Sequence, residues 1–164
     1  MAAEGDTPRA DAPVKLDDLQ KSVLLPQIQA FIDATSDREA RETYRALLAA
    51  VDAMEVAPDL QARLGAIVEI ALASGRVRKL FGPAAEQSLT SLFQGTPRGR
   101  EIAAAIAAVN AALHKLNGQA LDSATVSLRA PGAYALTLKT AACQLVIRFE
   151  QSGIRMESVE VDLS

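Results

Sequence analysis

The 164-residue chain has no tryptophan, one cysteine, one histidine and an aromatic share of only 4%. Each scarcity closes a class of chemistry. With Cys143 alone, no disulfide can form within the chain and no cysteine cluster can hold a metal. Such cysteine usage suits a reducing compartment, so the expected location is the cytoplasm. With His114 alone, there is no histidine pair at helical spacing to build a zinc site, and no metal is expected. Few aromatics leave little surface on which bases could stack. The net charge of −3 removes the basic footprint as well, and together these count against a nucleic-acid partner. No Walker or dinucleotide glycine pattern is present, so no cofactor is expected either. The N-terminus, MAAEGDTPRADAP, lacks a basic segment followed by an apolar run, which argues against an export signal. The longest nearly uninterrupted apolar stretch, Ile102 to Leu113, contains Asn110 and falls short of the roughly 20 residues a bilayer demands. No membrane partner is expected.

What remains is an ordinary globular composition, 49% hydrophobic and 23% charged, patterned in two ways. Residues 1–14 show no periodicity and read as a disordered tail, ahead of a single domain over 15–164. From Leu16 the apolar residues recur at helical spacing through Val23, Ile28 and Ile32, interrupted by Pro26, which implies one kinked helix or two short ones. TSDRE offers a capping box with Ser36 and Glu39, opening a helix whose apolar stripe is Ala40, Tyr44, Leu47, Val51 and Met54. Pro58 suits the first turn of a third helix along Leu60, Leu64, Ile67 and Ala71, with Gly75 as its terminator. Pro83 starts a short fourth helix that Gly95 closes. Thr96 and Pro97 cap and start a fifth, along Ile102, Ile106, Val109, Leu113 and Leu116. The opposite side of that fifth helix is alanine rather than charge, which places it centrally or in a subunit interface.

After NGQALD the period changes to two. Ala124, Val126 and Leu128 alternate with polar residues, Pro131 and Gly132 supply a type II turn, and two further strands follow through Tyr134–Lys139 and Cys143–Glu150. In the last strand the apolar phase slips between Met156 and Val159, which calls for a bulge near Glu157 and Ser158. Glu157, Glu160 and Asp162 fall where they would keep this strand from pairing further. The fold class is therefore α+β, with about five N-terminal helices packed on one face of a C-terminal four-stranded antiparallel meander.

Three groups of residues invite a function. Arg76, Arg78 and Lys79 form a basic island just past the expected end of the third helix, where cations suit the negative end of the helix dipole. Arg98 and Arg100 stand instead at the N-terminus of the fifth helix, against the dipole and beside Gly99. If the two basic loops met, they would suit a phosphate or carboxylate. Ala104, Ala108 and Ala111 offer a flat surface for a second copy or another protein. A thiol–imidazole couple of Cys143 and His114 is a third reading. It is opposed by the pattern, since Cys143 shares the apolar face of its strand with Leu145 and Ile147. The sequence thus points to a non-enzymatic interaction or regulatory protein that forms homo-oligomers, with a carrier or sensor of a small anion as the alternative.

Overall fold

The computed structural model of the chain describes residues 12–161. Most of the expected tail, and Asp162 of the expected acidic edge, lie outside the described residues. The tail's last residues do not: Val14–Lys15 form a short strand, β1, whose Val14 pairs with Val56. The chain folds as α+β, with helices ahead of a four-stranded antiparallel meander, and divides into two compact units, Met1–Arg100 and Glu101–Ser164.

In the first unit, Asp17 caps α1 (Asp18–Ala34) through a reciprocal capping box with Gln20. Pro26 is accommodated within this one helix. Asp37, rather than Ser36, caps α2 (Arg38–Asp52), accepting from the Glu39 N–H at 3.0 Å. The helix consequently starts one residue later than TSDRE implies, because the aspartate reaches the second helical N–H from its own position. After β2 (Glu55–Val56) comes α3 (Pro58–Ala73), which buries Gln61, Leu64, Gly65, Ile67, Val68 and Ala71 and so faces neighbours on several sides. Here tertiary packing overrides the single stripe read from sequence. Buried Gln61 donates to the carbonyl of Ala12 at 2.8 Å, tying the chain's start to α3. Gly75, at φ 66, ends α3 in the left-handed conformation glycine tolerates best.

The basic island is not a loop. Arg76–Phe81 form a six-residue helix, α4, which makes six helices among the described residues, and α5 (Pro83–Gly95) follows at once. The next helix, α6 (Pro97–His114), starts against the end of α5. Fully buried Thr96 organises this junction: its hydroxyl donates to the Phe93 carbonyl at 2.6 Å and accepts from the Gly99 N–H at 3.2 Å. A Cβ at Gly99 would overlap the Phe93 carbonyl, so only glycine lets the first turn of α6 lie this close.

In the second unit, the strands β3 (Leu121–Ala130), β4 (Ala133–Thr140), β5 (Cys143–Glu150) and β6 (Gly153–Val161) pair in sequence order. Gly132, at φ 79, takes the positive-φ position of the turn between β3 and β4. The expected bulge is in β6, where Val146 pairs with Ser158 and Ile147 with Met156, leaving Glu157 as the extra residue. Val109 and Ala112 of α6 pack on Leu145 and Ile147, with Leu113, Leu116, Leu136, Leu138, Ile154 and Val159 around them. The helix thus covers the apolar face over β4 to β6, while every residue of β3 is exposed.

Gly99→Ala is expected to lower the unfolding free energy by about 1–3 kcal/mol, the usual cost of forcing atoms into a packed site. Gly95→Ala, where an added Cβ meets nothing within 4 Å, should leave stability equal or slightly raised. Urea denaturation of the two variants checks both, and equal losses would refute the steric account.

Candidate functional site

Arg78 and Arg100 reach opposite ends of one helix. Arg78 pairs with Glu86 near the start of α5 at 3.3 Å. Arg100 donates from Nη1 to the Gly95 carbonyl at the other end of that helix, at 2.6 Å. Glu86 and Gly95 are separated by nine residues of helix, or about 13 Å. Arg98 faces Glu69 of α3 across 4.0 Å. The apparent offence of Arg100 against the dipole of α6 disappears, because its charge satisfies the C-terminal carbonyl of α5 instead. Gly99 likewise has a packing reason, given above, and does not need an anion to explain it.

Arg76 differs from the other arginines. It lines a groove of about 290 Å³ between α1 and α3, together with Ala30, Phe31, Ala34, Ile70 and Ala71 and the polar Gln27 and Ser74. The sequence reading missed this groove. Its signal was Ile70, an isoleucine outside the Leu60, Leu64, Ile67 and Ala71 stripe, which ends up 54% exposed.

On α6, Ala104, Ala108 and Ala111 are all exposed. From Glu101 to His114 only Val109 and Ala112 of this helix are buried, so within the second unit α6 is covered on one side alone. Its apolar character has two uses: one side fits the sheet, and the other presents small side chains to solvent. The sheet adds further open apolar surface, since Val126 and Leu128 remain 67% and 66% exposed, with Tyr134, Phe149 and Met156 partly so.

Cys143 and His114 stay apart. Cys143 lines a cavity of about 210 Å³ with Ala112, Leu116, Leu145 and Val159, and with the longer polar side chains of Lys115 and Gln119. His114 lies half a turn round α6 from Ala112 and Leu116, and its ring is 3.2 Å from the Asn117 amide. The thiol's polar neighbour is the hydroxyl of buried Thr140, 3.5 Å away, which also accepts from the N–H groups of Ala142 and Cys143. This is a turn-closing arrangement. Among the described residues there is no cluster of histidine, cysteine or carboxylates that could hold a metal. No described helix is long and apolar enough to cross a membrane.

Compared with protein-family models, curated proteins and solved structures, the chain matches none.

Because Arg100 holds a helix end, Arg100→Ala should cost about 1–2 kcal/mol in thermal or urea unfolding, in the range of a charge-assisted hydrogen bond. Lys79→Ala, on the exposed side of α4, should change stability by less than about 0.5 kcal/mol. A negligible loss for Arg100→Ala would reopen that arginine to a ligand role.

Proposed function

We propose that the chain is a non-enzymatic interaction protein of the cytoplasm that associates with copies of itself through its second unit. The observation carrying this reading is the outer face of α6, where Ala104, Ala108 and Ala111 stand exposed in place of the charges that a solvated helix normally carries. Small side chains let a partner's backbone approach closely, at almost no cost in side-chain entropy. A two-fold contact also makes one such surface serve both partners. An imidazole on the exposed side of α6 and three arginines already engaged by the fold, Arg78, Arg98 and Arg100, favour binding over catalysis.

Sedimentation velocity of the wild-type chain should give a mass above the 17.3 kDa of one copy. Ala108→Glu should lower that mass while leaving the circular dichroism unchanged, since the position is exposed. A single-copy mass at high protein concentration would overturn self-association, and an unaltered mass for Ala108→Glu would move the contact off this helix face.

A second reading has its own observation in the groove at Arg76. A largely apolar groove that includes a guanidinium suits a small amphipathic carboxylate or phosphate, and its volume lies near the lower end of small-molecule sites. On this reading, saturated medium-chain carboxylates raise the unfolding temperature of the wild type, and Arg76→Ala abolishes the rise. No shift across a series of chain lengths would end it.

A further inference from the structure

The two edges of the four-stranded sheet are built differently. The β6 edge carries Arg155, Glu157 and Glu160 and is bent by the Glu157 bulge, which are the usual means of stopping a strand from pairing again. The β3 edge has none of these over its middle. From Ser123 to Leu128 its register with β4 is regular, its irregularities lie only at the two ends, and the run SATVSL contains no charge, proline or glycine. All ten residues of β3 are exposed, and among the described residues its backbone hydrogen-bonds to no strand except β4. Such an edge presents a row of unused N–H and C=O groups.

We propose that β3 pairs antiparallel with the β3 of a second copy, joining two four-stranded sheets into one continuous sheet about a two-fold axis. The proposal rests on the self-association advanced above and assigns it a contact distinct from the outer face of α6.

The sequence of β3 suits itself as a partner. A two-fold axis perpendicular to a sheet leaves each residue on its own face, so the residues it pairs must be both even-numbered or both odd-numbered. Centring the axis on Val126 sets this valine opposite the same valine of the second copy and Ala124 opposite Leu128, apolar against apolar. On the other face Thr125 meets Ser127, and Ser123 meets Arg129, so no like charges face one another. Antiparallel pairing also lays the Asp122 end of one copy beside the Arg129 end of the other. Centring on Thr125 instead would set Asp122 against Leu128, and centring on Ser127 would shorten the paired run. The Val126 register also brings together the two surfaces the monomer leaves most open, because Val126 and Leu128 of both copies become neighbours.

Disulfide trapping reads this contact directly. In a Cys143→Ala background, Val126→Cys puts the introduced thiols on directly opposed residues. Their Cα atoms would be about 4.5 or 5.5 Å apart, within the span a disulfide bridges. Ser127→Cys is the control, because in this register equivalent positions are about 8 Å apart, too far to bridge. Mild oxidation of the full chain should convert most of the Val126→Cys protein, and little of the Ser127→Cys protein, to a covalent dimer. Val126→Lys should lower the sedimenting mass of the otherwise native chain, with its circular dichroism preserved. Should Val126→Lys fail to fold, the trapping result stands alone.

A wild type larger than one copy whose Val126→Cys variant does not cross-link would overturn the β3 contact and leave self-association standing. A monomeric wild type would overturn both. A monomer in which the introduced thiol resists a soluble maleimide would show that the chain covers its own edge, which also defeats the proposal. Efficient cross-linking together with an Ala108→Glu variant of unchanged mass would support β3 as the contact that holds the assembly.

Discussion

The approach of three chain segments at Thr96 is the constraint on which the first unit's later helices depend. The buried hydroxyl joins the end of α5 to the start of α6, and the Cβ position of Gly65 on α3 lies 3.1 Å from that oxygen. Glycine at 65 and at 99 is what leaves room for this crossing. A buried hydroxyl must find partners or cost about 1–3 kcal/mol, and here both its donor and its acceptor capacity are used. The same crossing accounts for two features that resemble a binding site in the sequence. Gly99 is there for space, and Arg100 is there to meet the carbonyl that the end of α5 leaves open.

The second unit is governed by how one helix and four strands divide two faces. On the face away from α6, Arg148 bonds Glu157 at 2.5 Å and meets Glu150 at 3.4 Å, while Arg155 reaches Glu150 at 3.0 Å and Arg129 reaches Glu157 at 3.9 Å. Isolated exposed ion pairs contribute at most about 1 kcal/mol each, but a connected set fixes its members together. Glu157, the extra residue of the bulge, is the member that both Arg129 and Arg148 reach.

The other face is incomplete by itself. A single helix about 10 Å across cannot cover four strands spaced about 4.8 Å apart. It lies over β4 to β6, and what it leaves uncovered is β3 together with the exposed rings of Tyr134 and Phe149.

Much of the fold was legible because it rests on local chemistry. Period, proline at helix starts, Gly75 and Gly132 at positive φ, and the phase slip at Glu157 are all written into a few adjacent residues. The order of elements and the antiparallel meander follow from them. The capping aspartates were less legible, since Ser36 and Asp37 are both competent caps and only the final path of the chain chooses between them. Whether a charge is free or engaged was not legible at all. Arg98, Arg100 and Arg78 look alike in sequence, yet their partners lie 29, 5 and 8 residues away, on other helices or at another helix's end. The alanines of α6 show the same divide. Composition made that helix apolar on both sides, but only the packing of Val109 and Ala112 on the sheet decided which side would face water, because burial belongs to a pair of surfaces and a sequence states only one of them at a time.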